Sequence, residues 1–198
     1  KDITDILRDV LSLKFNTEPG KMGLYVLLAT IPAGFFGFLF NSFFENNLNN
    51  LYLLSAGFSI SGILLLISSL ELPIKKRDLS ASVAILIGFA QVISLFRGIS
   101  RSGSTICSGV LLGLDQKKAA RFSFLLSIPI ILGANILSFG NSSISSSYLI
   151  PALVSFVVGL LSIHILLKFV LTSKKNLRWF GIYVLALAFG LGAFLLLR

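Results

Sequence analysis

"SLFRGISRSGSTICSGVLLGL", Ser94–Leu114, decides how the whole chain is read. Its centre, "RGISRSGST" (97–105), holds two arginines, four hydroxyl side chains and two glycines in nine residues. Strongly apolar sequence flanks it. The arm before it, Val83–Phe96, has 14 residues, and the arm after it, Ser104–Leu114, has 11. As helices these arms reach about 21 Å and about 16 Å. A bilayer's hydrocarbon core is about 30 Å thick, so neither arm crosses. The pattern predicts a re-entrant helix–loop–helix over 83–114 with its polar tip inside the membrane. Irregular backbone at that depth is tolerated only where it is buried in protein or lines a wet cavity. The tip is therefore expected to face a cavity.

The rest of the chain supplies the membrane. Its 198 residues are 55% hydrophobic and 13% charged, with a mean hydropathy of +0.92. Soluble domains carry about a quarter charged residues. Five runs, Leu24–Phe40, Leu51–Leu70, Phe122–Phe139, Tyr148–Leu171 and Trp179–Leu197, approach or exceed the roughly 18–20 residues of a helical span. They are continuous, unlike the alternating strands of a barrel. The expected architecture is an all-α polytopic membrane protein, a single membrane domain over 1–198. It comprises a cytoplasmic segment (1–23), two spans in 24–70, the hairpin (83–114) and three spans in 122–197. Ile3, Ile6, Leu7, Val10 and Leu11 recur at helical spacing, which predicts an amphipathic helix over 1–18. "TEPGK" (17–21) predicts a turn, and 41–50 and 140–147 predict loops.

Charge orients the chain. The formal net charge is +9 and the pI about 10.0. In a soluble chain this would suggest nucleic acid, but here the cations sit in short loops, and nucleic acid is not an expected partner. Segments 71–80, 115–121 and 172–178 carry three cations each, whereas 41–50 and 140–147 carry none. Short loops rich in Lys and Arg stay cytoplasmic. The alternation works only if 83–114 begins and ends on the cytoplasmic side. The single cysteine, Cys107, excludes an intrachain disulfide and a multi-cysteine metal site, and reads as a packing residue.

Arginine is effectively always charged, and burying it in a bilayer costs at least about 2.5–3.5 kcal/mol. No acidic residue lies between Asp78 and Asp115, so Arg97 and Arg101 have no counter-charge within the hairpin. An exogenous anion is the simplest partner, and the surroundings suit a phosphate. Ser100, Ser102, Ser104 and Thr105 offer hydroxyl donors. Gly98 and Gly103 allow close backbone approach. A helix starting near Ser104 would aim its N–H groups and positive dipole end at the tip. Arginine adds a bidentate fork. A purely structural tip is the alternative, since Ser and Thr also pack membrane helices. No base accompanies Ser100 or Ser102, so anion binding is better founded than a serine nucleophile. Gln91 reads equally as a hydrogen bond to the tip or to a neighbouring helix. His164, one turn before Lys168, reads as interfacial, and Asn135 as an interhelical contact.

The motif "GFAQVISLFRGISRSGST" (88–105) resembles a signature of the bacterial undecaprenyl-diphosphate phosphatases linked to bacitracin resistance, G-x-x-Q-x-x-A-x-x-P-G-x-S-R-S-G-x-T. Gly88, Gln91, Gly98, Ser100, Arg101, Ser102, Gly103 and Thr105 match. "GVLLGLDQKKAARFSFLLSIPIILGA" (109–134) and "LLATIPAGFFGFLF" (27–40) are similar to the same family. Two positions depart from it: Arg97 stands where the family has Pro, and Ser94 where it has Ala. The family's first signature, resembling E-G-x-T-E-F-L-P-x-S-S-x-G-H, has no counterpart here.

The resemblance implies two inverted repeats, each a re-entrant hairpin and three spans. This chain would then hold the last two spans of the first repeat and all of the second. It implies hydrolysis of the C55 isoprenoid diphosphate to the monophosphate, recycling the carrier for peptidoglycan synthesis. The site would face the outer side of the bacterial cytoplasmic membrane. Arg101, Ser100 and Ser102 are the implied catalytic positions. Arg101, Thr105, Gly98, Gly103, Gln91, Ser104 and Arg97 are the implied substrate-binding ones. Mg²⁺ or Ca²⁺ is implied only through the family's glutamates, and no metal ligand is expected in this chain. The partners expected are the bilayer, the isoprenoid diphosphate and, as an open alternative, a second copy in a homodimer. Other readings are a polyprenyl-phosphate transporter or flippase, for which re-entrant helices in inverted repeats are a known device, and a non-catalytic remnant. Without the glutamates, this chain alone is expected to bind lipid diphosphate with little turnover.

Overall fold

Both arms of the 83–114 region form, and both are short. A computed structural model describes residues 2–47, 49–70, 73–138, 148–166, 168 and 174–197. Among these are nine helices and no strand: α1 (Asp2–Leu11), α2 (Glu18–Leu39), α3 (Asn41–Asn46), α4 (Leu51–Ser69), α5 (Ala81–Ile93), α6 (Arg101–Leu111), α7 (Gln116–Ser138), α8 (Leu149–Ile165) and α9 (Lys174–Leu196). Helices α2, α4, α7 and α9 are long and apolar enough to cross a membrane. Helix α8 has 17 described helical residues, about 26 Å, and none of them is buried. The expected loop at 140–147 lies outside the described residues, as do 167 and 169–171 of the expected fourth span.

Helices α5 and α6 have 13 and 11 residues, giving about 20 Å and about 17 Å. Their outer ends meet on one side. The Arg77 N–H donates to the Gly113 carbonyl at 2.9 Å, tying the segment before α5 to the turn after α6. Lys118 pairs with Asp78 at 2.7 Å across the same junction. That hydrogen bond and charge hold the Asp78 carboxyl below its ordinary range. The pair's contribution is therefore present above the unfolded carboxyl pKa and is lost as pH falls through the depressed one. Both groups are largely exposed, so it is small.

The tip docks at mid-depth on α4. Gly98 has a φ of +89°, open to glycine and strained for other residues. A Cβ there would collide with the Leu54 carbonyl, and one on Gly57 would collide with the Arg97 carbonyl. Ser61 closes the joint. Its hydroxyl donates to the Gly98 carbonyl at 3.1 Å and accepts from the Ser100 N–H at 2.8 Å. Ser61 is 3% exposed. One side chain thus satisfies two polar backbone groups of the non-helical link.

Small residues set the remaining contacts, as expected where lipid supplies no hydrophobic drive between helices. Helices α2 and α5 meet where Gly88 lies against the Ala29 backbone. Helices α4 and α9 meet reciprocally: Gly62 faces Leu185 and Gly181 faces Leu66. A Cβ on either glycine would lie 3.1 Å from the other's carbonyl oxygen. The same G-I-x-x-L spacing occurs at 62–66 and 181–185. The main core joins Val26 and Ala29 of α2, Ala84 and Ile87 of α5, Ile106 and Val110 of α6, and Phe122 and Leu126 of α7. The hairpin packs on the spans through one face of α5 and most of α6, while Leu86, Phe89 and Ile93 on α5 stay exposed.

Several local readings change. The expected turn at 17–21 is the capped start of α2: Thr17 accepts from the Gly20 N–H, with Pro in the first turn, where its missing donor costs nothing. The amphipathic helix ends at Leu11 rather than residue 18. The stretch 41–50 contains α3. Lys117, Lys118 and Arg121 belong to the first turns of α7, and α6 begins at Arg101 rather than near Ser104. Asn135 donates to the Ile131 carbonyl of its own helix at 2.8 Å, so it is not an interhelical contact. Cys107 is fully buried beside Leu65 and Leu177.

Ser61→Ala strands two buried backbone groups, each costing about 1–3 kcal/mol. Its melting temperature in detergent should fall by several degrees. Gly98→Ala, adding a steric overlap to a forbidden φ, should fall further or fail to accumulate in membranes. A Ser61→Ala protein that melts like wild type would show that the tip is not held on α4.

Candidate functional site

Ser100 is the N-cap of α6 and shapes the tip. Its Oγ accepts from the Gly103 N–H at 3.1 Å, and a Cβ on Gly103 would crowd Ser100 at 3.0 Å. Ser104 is buried and donates to the Ser100 carbonyl at 2.9 Å. Thr105 is 1% exposed and lies 2.6 Å from the Ser123 hydroxyl of α7. These three hydroxyls are engaged in building the tip. Ser102, one residue into α6, is exposed. The close approach permitted by Gly98 is made in this structure by α4.

Arg101 opens α6, is half-buried, and lines a cavity of about 340 Å³ between α2, α5 and α7. Among the described residues its guanidinium makes no hydrogen bond or ion pair; the two ion pairs found are Lys21–Glu18 and Lys118–Asp78. Arg97 is exposed and is not among the cavity's lining residues. Gln91, from α5, lines the same cavity and is 1% exposed. Neither atom of its amide has a hydrogen-bond partner. Neither of the two hydrogen bonds expected of Gln91, to the tip or to a neighbouring helix, is made. Ser94 lines the cavity too, with its hydroxyl donating to the Gln91 carbonyl at 2.6 Å.

The cavity runs from Thr30 and Ala33 of α2 toward Phe38, Asn41 and Phe44. It extends toward the end of α2 remote from the basic loops. At that end Phe43 and Phe44 of α3 meet Phe96 edge-on, with ring centroids 6.2 and 5.3 Å apart. His164 lies on exposed α8, away from the cavity. Sequence reading missed Ser61, Ser123 and Thr30. A hydroxyl just before Gly62 was the available signal for Ser61.

A guanidinium and a carboxamide line one largely apolar cavity, where each polar contact is stronger than in water; this chemistry suits an anion. The implied divalent metal does not fit these residues. Among those described, no group of three or more His, Cys, Asp or Glu comes together.

The sequence profile described as "Bacitracin resistance protein BacA" matches residues 1–190. The chain belongs to the BacA family. Among its relatives in that family, an undecaprenyl-diphosphatase of Thermosipho africanus is 42% identical over 190 residues, covering 95% of this chain and 75% of that protein. One from Thermosipho melanesiensis is 40% identical, covering 92% and 72%. One from Caldicellulosiruptor bescii is 39% identical, covering 100% and 77%. The BacA match spans the hairpin, the helices α2, α4 and α7 packed on it, and the cavity.

An amide with no partner costs stability, whereas an apolar side chain of similar shape in its place is nearly neutral or stabilising. Gln91→Leu should melt at or above the wild-type temperature while its affinity for a lipid diphosphate falls about tenfold. Isothermal titration alongside a melting curve checks both. A destabilised Gln91→Leu with unchanged affinity would make Gln91 a structural residue.

Proposed function

We propose that this chain carries the phosphate-binding half of an undecaprenyl-diphosphate phosphatase. The observation that carries the reading is the unpaired guanidinium of Arg101 sharing a membrane-depth cavity with the unpartnered amide of Gln91. The names of the relatives, undecaprenyl-diphosphatase, supply the substrate. In the reaction, water oxygen bonds to the terminal phosphorus and the bridging P–O bond breaks. The bridging oxygen leaves on the lipid monophosphate, and inorganic phosphate is released.

Arg101 clamps the diphosphate and meets the charge that develops on its oxygens, the usual largest contribution to such catalysis. Gln91 donates from the cavity wall. The Ser102 hydroxyl and the N–H groups of Arg101 and Ser102 at the start of α6 donate from the tip. Ser100, Ser104 and Thr105 hold the tip in shape, with Gly98 and Gly103 allowing its turns, and Arg97 adds positive potential nearby. Activation of the water needs a base, and among the described residues no carboxylate lines this cavity. The residues that line it bind and orient the diphosphate. The direction of the cavity supports a site opening to the outer side of the bacterial cytoplasmic membrane, where released diphosphate carrier would be recycled for cell-wall synthesis.

The reciprocal Gly62–Gly181 contact also suits a carrier that rocks one repeat against the other. Flipping of a polyprenyl phosphate in liposomes without phosphate release would favour that reading.

Phosphate release from undecaprenyl diphosphate by the full-length gene product should fall at least about 100-fold in Arg101→Ala. Two lost charge-assisted hydrogen bonds, each about 1.5–3 kcal/mol, account for that. Arg101→Lys keeps the charge but loses the fork and should recover only part. Release unaffected by Arg101→Ala would remove the clamp.

A further inference from the structure

A C55 chain cannot be enclosed in a cavity of about 340 Å³, which lies at the small end of the roughly 300–1,000 Å³ usual for small-ligand sites. Only the headgroup and the start of the chain fit. The rest must leave through a gap that opens on lipid. The inner end of the wall is tightly packed, with Ala33 4% and Gln91 1% exposed, and the wall opens toward Phe38, which is 75% exposed. Two lining positions stand out. Gly34 on α2 and Gly133 on α7 face open space, and a Cβ on either would meet no described atom within 4 Å. Gly37, one turn beyond Gly34, touches only the tip of Leu95 at 3.7 Å. Ala134 continues the gap on α7 and is exposed. The row of small residues points to a ligand because of what lies behind it: the buried, unpartnered Gln91 amide, lining the same cavity.

We propose that the gap between Gly34 and Gly133 is a lateral portal through which the isoprenoid chain passes from the site into the bilayer. This rests on the lipid-diphosphate reading above. The glycines keep the wall thin where a branched, unsaturated chain must cross between two helices. The apolar wall along Gly37 and Phe38 carries the first isoprene units, and the polar inner end takes the phosphates. Larger side chains at the two glycines would face open space, so the fold tolerates them while the passage narrows.

The test uses Gly34→Leu, Gly133→Leu and the double variant of the full-length protein, reconstituted in liposomes. The substrates are undecaprenyl diphosphate and geranyl diphosphate, whose tail is too short to need the bilayer. The ratio of kcat/KM for the long chain over the short one should fall at least tenfold in the double variant. An unchanged ratio overturns the portal and leaves the phosphatase reading standing. A second measurement does not depend on turnover. A polyprenyl monophosphate with a photoreactive group in its first isoprene units should label 30–38 and 129–134, and labelling should drop in the double variant. Labelling confined to other segments overturns the portal. Labelling of these segments in a protein that releases no phosphate would uphold the portal and remove the phosphatase.

Discussion

Non-helical backbone at membrane depth is the constraint on which this structure depends. Between α5 and α6 the chain turns where no bulk water can satisfy its polar groups, and an unpaired group there costs several kcal/mol. Ser61 resolves this with one hydroxyl, donating to Gly98 and accepting from Ser100. The hydroxyl can reach both only if the tip lies flush on α4. That requires glycine at 57 and at 98, because a Cβ on either would strike the facing backbone. Hydrogen bonding and close packing are thus one requirement met on two helices.

Once the tip is fixed to α4, the cavity follows. Docking the link sets where α6 begins, and Ser100 caps that start. Arg101, the next residue, is then placed on the side away from α4, facing α2 and α7. Helix α5 approaches α2 through Gly88 and Ala29, which brings Gln91 to the same space one turn later. Helix α7 closes the third side, held to α6 through Thr105 and Ser123. The arginine and the amide are therefore brought together by packing, with no direct bond between them.

Much of this was readable in the sequence. The arms of 83–114 are too short to span, and the loop cations alternate only if the hairpin returns to its own side. Arg101 stood out because no acid lies near it in the chain. What was not readable required knowing neighbours. The donors Ser104 and Thr105 looked like ligands because their side chains are polar, but helical geometry turns them to the Ser100 carbonyl and to Ser123. Gly98 looked like a place for a phosphate to approach, and a helix approaches it instead. Ser61 sits in an ordinary apolar span, and its role appears only when the two segments are placed together. The helix starts at Glu18 and Gln116 were obscured because Pro, Gly and Lys read as loop residues, although a first turn tolerates all three.

Two groups without a partner share one cavity, the Gln91 amide and the Arg101 guanidinium, and among the described residues the other buried side-chain polar atom left unpaired is Gln116 Nε2. Gln91 forgoes about 1–3 kcal/mol by lacking a partner, and Arg101 carries the cost of charge near lipid. An apolar residue at 91 would relieve the first at once. Keeping the amide makes sense only if a ligand completes it, and the ligand must then be anionic to suit the guanidinium. It must also be amphiphilic, since the remaining wall is largely apolar. The proposed ligand, a diphosphate on an isoprenoid chain, meets these conditions.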